Sequence, residues 1–225
     1  MQYQIIGQTV PAVEVTLMAG ESMFTQRGGM IWQTRGIKMQ SSARGGIAKS
    51  IGRLFAGESF FMVSYTAEAD NARIAFGSTV PGTVIPVDVG QTPLICQKGA
   101  FLCAEQTVQL NVTFTKKISA GFFGGEGFVL QKLEGIGYAF LEVDGDMVQY
   151  DLRPGEELLI DTGNVVAFSP DVKYEIETVK GIGNILMGGE GLFLTKLTGP
   201  GRIILQTQNF GDFAGRIATR IPRNN

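Results

Sequence analysis

A chain that repeats one short phrase at a near-constant spacing is constrained to build the same local structure each time. Gly57-Glu58-Ser59-Phe60-Phe61, Gly125-Glu126-Gly127-Phe128-Val129 and Gly189-Glu190-Gly191-Leu192-Phe193 each open a strand-like run, and their first glycines lie 68 and 64 residues apart. A second landmark keeps that period. Gly20, Gly90 and Gly155 step by 70 and 65 residues, and each is followed by a further glycine 9, 9 and 8 residues later. Agreement of order and spacing predicts a threefold internal duplication, with modules over residues 1–70, 71–142 and 143–210 and a tail over 211–225, all in one compact body.

Within a module the pattern is that of short strands. Val13-Glu14-Val15-Thr16-Leu17 alternates strictly, as a strand with one wet face does. Glycine, at 31 copies with no collagen-like triplet, supplies the positive-φ positions of tight turns. Gly28-Gly29 predicts a hairpin turn, Lys98-Gly99 suggests another, and Asp144-Gly145 between apolar runs is a strong hairpin signal. The expected fold is therefore all-β, a β-sandwich built from three tandem repeats of antiparallel meanders, with only short helices.

Each module carries an apolar approach to its glycine phrase, over residues 45–56, 118–124 and 181–188. Ile47, Ile51, Leu54 and Phe55 in the first fall at helical spacing. Loops normally run over the wet surface, so three greasy ones at equivalent places call for a cover: one another, another subunit or a membrane. In the tail, Phe213, Ile217 and Ile221 recur every four residues beside Arg216, Arg220 and Arg223, which predicts an amphipathic turn or two of helix docked on the body.

Composition removes several functions. The chain has no histidine, which excludes Ser-His-Asp and Cys-His catalysis and imidazole zinc sites. A net charge of −2, from 21 acids and 19 bases, offers no global field for nucleic acid. No run approaches the roughly 20 apolar residues of a membrane span, and Met1-Gln2-Tyr3-Gln4-Ile5 lacks a signal peptide's basic and apolar regions, so a cytoplasmic address is the default expectation. Cys96 and Cys103 read as two small buried hydrophobes, and no disulfide is demanded. Gly121 to Gly127 lacks the Lys-Ser/Thr of a phosphate loop. Asp144-Gly145-Asp146 lacks the rest of a calcium loop and reads as a turn. Trp32 and the phenylalanines sit in alternating runs, where core packing explains them better than base stacking.

The phrase Arg53-Leu54-Phe55-Ala56-Gly57-Glu58-Ser59-Phe60-Phe61, the two Gly-Gly-Glu-Gly phrases and the module order resemble a bacterial member of the altered-inheritance-of-mitochondria protein 24 family. The resemblance covers about Tyr3 to the tail. It implies duplicated β-sandwich modules like the subunit of the tryptophan RNA-binding attenuation protein, whose subunits close into a ring. It implies no enzyme activity; the mitochondrial members are associated with inner-membrane organisation. RNA binding does not follow from the shared module, because Arg44, Lys49, Arg53, Lys116, Lys117, Lys173 and Lys180 make no repeated stripe and function is argued from a site.

The candidate interaction residues are Arg53, Glu58, Phe122, Phe123, Glu126, Leu186, Met187 and Glu190. If a pseudo-threefold axis relates the modules, Glu58, Glu126 and Glu190 could converge on a hard cation or basic partner. The simpler reading has each carboxylate accept backbone N–H groups of its own glycine-rich turn. The resulting expectation is a non-enzymatic scaffold without cofactor or metal, self-associating through the apolar loops into a closed oligomer such as a trimer. A small-molecule or lipid-headgroup module with peripheral membrane contact is the alternative.

Overall fold

A computed structural model describes residues 1–26, 28–43, 61–116, 128–178, 193–218 and 220–221. The first strands are β1 (Gln2–Ile6), β2 (Ala12–Leu17), β3 (Ser22–Gln26), β4 (Met30–Gln33), β5 (Ile37–Ala43), β6 (Phe61–Ala67) and β7 (Ala72–Gly77). There follow β8 (Gly82–Asp88), β9 (Leu94–Gln97), β10 (Phe101–Glu105), β11 (Val108–Lys116), β12 (Phe128–Gly135) and β13 (Tyr138–Asp144). The last are β14 (Met147–Leu152), β15 (Glu157–Asp161), β16 (Val165–Phe168), β17 (Lys173–Thr178), β18 (Phe193–Thr198) and β19 (Gly201–Gln206), before helix α1 (Phe210–Ala218). The chain is all-β, as its alternation and glycine content predict.

The strands form four sheets, ordered β1-β2-β7-β4, β5-β6-β3-β10-β13-β8, β11-β12-β9-β16-β19-β14 and β15-β18-β17. Three runs, β5-β6-β3, β11-β12-β9 and β17-β18-β15, share one relative order, and so do β2-β7-β4, β8-β13-β10 and β14-β19-β16. Contacts divide the chain into two compact units. One comprises Met1–Gly90, Phe101–Gln109 and Gly135–Glu142; the other comprises Gln91–Ala100, Leu110–Glu134 and Val143–Asn225. Residues 71–142 therefore supply strands to both.

In the first unit the inner face of β2 buries Val13, Val15 and Leu17 with Ile74 and Phe76 of β7, against Met23, Tyr65, Cys103 and Phe140 from the six-stranded sheet. Tyr65 meets Phe76 edge-on with ring centroids 5.7 Å apart, the arrangement that aromatic quadrupoles favour. In the second unit Phe128, Leu130, Val165, Phe168 and Ile203 of the six-stranded sheet pack with Ile160 and Leu197 of the three-stranded one. Each unit is a two-layer sandwich.

The expected hairpins are not hairpins. β3 and β4 flank Gly28-Gly29 yet lie in different sheets, as do β9 and β10 around Gly99, and β13 and β14 around Gly145. The glycine landmarks turn corners from one sheet to another, with Gly20, Gly28, Gly145 and Gly155 at φ +86, +98, +71 and +77. Burial explains the difference. Phe101 to Ala104 and Val165 to Phe168 are buried without alternation, which marks strands covered on both faces rather than arms of a half-wet meander. True antiparallel neighbours instead flank two of the apolar approaches, where Ala43 pairs with Phe61 and Thr178 with Phe193.

Two further expectations change. Trp32 is half exposed on β4, at the end of its sheet. Helix α1 forms, but Phe213 and Ile217 on its apolar stripe remain half exposed, so the stripe is not docked as the spacing predicts. The helix is held at its start, where Asn209 Oδ1 accepts the N–H groups of Gly211 at 2.8 Å and Asp212 at 3.4 Å.

Candidate functional site

All eight sequence-derived site residues, Arg53, Glu58, Phe122, Phe123, Glu126, Leu186, Met187 and Glu190, lie outside the described residues. So do Ile47, Ile51, Leu54 and Phe55, whose helical spacing the sequence shows. Their sequence positions tie them to equivalent strands, because the stretches that hold them connect β5 to β6, β11 to β12 and β17 to β18, and each of these pairs is adjacent in its sheet.

Three side-chain groups stand out among the described residues. On the outer face of the β1-β2-β7-β4 sheet, Glu14 accepts from Gln4 Nε2 at 3.0 Å and from Trp32 Nε1 at 3.3 Å, with Arg73 Nη1 at 3.9 Å. Gln4 above all, then Trp32, holds this carboxyl below its ordinary 4.5. The three-stranded sheet gathers charge around Lys196, whose Nζ lies 2.8 Å from Glu175, 3.6 Å from Glu177 and 3.9 Å from Glu157. The Glu175 hydrogen bond chiefly holds that ammonium above 10.5. Both are solvent-facing clusters of modest energetic weight.

The third group gathers at the end of β19. Gln206 Nε2 donates to the Gly163 carbonyl at 2.9 Å, and its Oε1 accepts the Asp144 N–H at 3.0 Å. Asp144 Oδ2 accepts the Phe210 N–H at 2.9 Å. Asn209 is buried beside Gly163, at a place a β-carbon on residue 163 would fill. Burial pushes the Asp144 carboxyl above its ordinary 3.8 and outweighs the Phe210 bond. Asp212 also rises, through burial first and then the Asp161 charge.

A raised carboxyl binds its proton more tightly in the folded protein than in the unfolded one. Asp144 therefore lowers stability as pH rises from about 3.8 through its folded pKa. Asp144→Asn is expected to flatten that fall, so that urea midpoints compared at pH 4 and pH 7 favour the variant more at pH 7. An unchanged difference between the two pH values would contradict this assignment.

Among the described residues no group of three His, Cys, Asp or Glu side chains could hold a metal ion. Cys96 and Cys103 are free and buried, as expected, on strands of different sheets. Burial pushes the Cys96 thiol up to about 12 and Cys103 well above 9.0, which removes thiolate nucleophilicity at neutral pH. No helix among the described residues is long and apolar enough to cross a membrane.

Sequence reasoning missed the ends of the sheets. Ile31, Trp32 and Leu159 are large, apolar and exposed on β4 and β15, which among the described residues both terminate their sheets. Alternation alone cannot flag them, because a strand at the edge of a sheet and one at its centre can carry the same apolar residues.

An all-β protein with a two-layer sandwich in each unit and corner-turning glycines is the class that this geometry defines. The chain belongs to the Mitochondrial biogenesis AIM24 family, whose model matches residues 3–208. An uncharacterised protein of Streptococcus pyogenes serotype M6 is 28% identical over 220 residues, which span 94% of this chain and 87% of that protein. A crystal structure of a Streptococcus pyogenes protein superposes with a TM-score of 0.78 at 25% identity, covering 98% of this chain and 99% of that one.

Proposed function

We propose that the protein is a non-enzymatic scaffold that associates with copies of itself through its apolar glycine-rich stretches. The observation that carries the reading is positional. The stretches at 45–56, 118–124 and 181–188 each link two neighbouring strands of a sheet, at equivalent steps of the strand order. Three apolar connections of that kind on one chain would be costly to leave wet, and a second subunit covers them without a special ligand. The absence of histidine and the two inert thiols support a role without covalent chemistry, and reduced buried cysteines fit a cytoplasmic location.

Light scattering behind size exclusion tests this for wild type and for Phe122→Asp/Phe123→Asp. The expected result is a wild-type oligomer that falls to folded monomers in the variant. An equal mass for both would remove the loops from the interface, and binding to liposomes would then favour a membrane-surface role.

A further inference from the structure

The strand order contains one joint twice and half of it at each of two ends. In the first unit, β3 pairs antiparallel with β10, Thr25 opposite Cys103 and Phe24 opposite Ala104. In the second unit, β9 pairs with β16 in the same way, Cys96 opposite Ala167 and Ile95 opposite Phe168. β15 occupies in its run the place of β3 and β9, and β4 the place of β10 and β16. Among the described residues, neither β15 nor β4 has the corresponding neighbour.

The equivalence holds residue by residue. β4, β10 and β16 each carry a bulge against the neighbouring strand, between Met30 and Trp32, Phe101 and Cys103, and Val165 and Ala167. These bulges align Trp32 with Cys103 and Ala167, and Gln33 with Ala104 and Phe168. On the other side, Thr25, Cys96 and Ile160 face Val63, Gln131 and Thr195, each five residues after the glutamate of its glycine phrase. Leu159 thus corresponds to Phe24 and Ile95.

Exposure marks what is missing. Trp32 is 45% exposed, whereas Cys103 and Ala167 are 0%. Ile31 is 48% exposed, whereas its counterparts Leu102 and Val166 are 3% and 0%. Leu159 is 55% exposed, whereas Phe24 and Ile95 are 0% and 9%. Apolar residues left wet on an unpaired strand edge are a template for strand addition.

We propose that β15 of one copy pairs antiparallel with β4 of a second copy, Ile160 opposite Trp32 and Leu159 opposite Gln33. The joint repeats the two pairings already present in the chain. It is head-to-tail, since the two surfaces differ, so each added copy presents a fresh β4 or β15 until the assembly closes. The proposal rests on the self-association argued above and gives it a second surface, made of described strands rather than apolar loops.

Directly opposed residues of an antiparallel pair have α-carbons about 4.5 to 5.5 Å apart, within disulfide reach. The test mixes Gln33→Cys protein with Leu159→Cys protein, with oxidised glutathione as oxidant. Leu159 is solvent-exposed and Gln33 sits on an edge strand, so neither change cuts the core, and the buried native thiols stay unreactive. A mixed disulfide dimer on a non-reducing gel, reversed by dithiothreitol and absent from either variant alone, is expected. No mixed dimer, or a bond formed only within one chain of the Gln33→Cys/Leu159→Cys double variant, would overturn the proposal. A mixed dimer together with an unchanged mass for Phe122→Asp/Phe123→Asp keeps the edges and removes the loops. Loss of mass in that variant without a mixed dimer keeps the loops and removes the edges.

Discussion

Phe168→Ala is expected to lower the stability of the second unit by about 3 to 5 kcal/mol, the range for truncating a phenylalanine in a sealed core. Phe168 is fully buried on β16, a strand whose four residues are all buried. Its ring lies 5.6 Å from that of Tyr174, and it packs among the apolar side chains that close the sandwich, including Leu197 and Ile203. Close-packed surroundings relax only in part around a missing ring, so the loss combines transfer and cavity contributions. Urea unfolding followed by far-ultraviolet circular dichroism measures it, while the fluorescence of Trp32, in the first unit, serves as the control. A Phe168→Ala loss under about 1 kcal/mol would mean that the second unit is not sealed there.

Gly135→Ala is expected to cost the first unit about 1 to 3 kcal/mol in backbone strain alone, with a further penalty for displaced neighbours. Gly135 ends β12 at φ +107, beyond the left-handed well that a side chain tolerates. A β-carbon there would stand 2.8 Å from the Thr107 carbonyl oxygen and 3.4 Å from the Gln109 nitrogen. Both are backbone atoms, of the corner after β10 and of the start of β11 respectively, and neither can swing aside as a side-chain tip can. Gly99→Ala provides the contrast. It has nothing within 4 Å of the added carbon, and its effect should be near zero. Equal thermal midpoints for the two variants would overturn the argument.

The fold was legible where one face of a strand is wet. Val13, Val15 and Leu17 alternate with Glu14 and Thr16, and β2 is placed as that alternation predicts. The turn glycines were legible as turns but not as corners, because a positive φ at Gly28 reverses a chain whether its next strand returns to the same sheet or crosses to the other. Partner choice is a long-range matter: Thr25 pairs with Val63 and Cys103, and no local spacing encodes either. Trp32 was unreadable for the same reason. An apolar residue is buried only if a neighbouring strand arrives, and among the described residues β4 pairs with β7 on one side alone. The tail helix was legible in its period and in its Asn209 start, while the exposure of Phe213 and Ile217 depends on what lies opposite them. The candidate residues of the apolar stretches rest on the repeated phrases alone.

The corners that send consecutive strands to different sheets also set the order in which this chain can mature. The first unit needs Phe101–Gln109 and Gly135–Glu142, while the second already claims Gln91–Ala100 and Leu110–Glu134. A ribosome that has released the first 90 residues has therefore produced an incomplete sandwich, whose β3 still awaits β10. When β10 arrives, it brings with it β9, which must wait for β16 to emerge. Synthesis thus always leaves one side of a sheet pending, and the exposed edge of the newest strand, rather than the finished surface, is where a nascent chain of this kind is most open to capture by a neighbour.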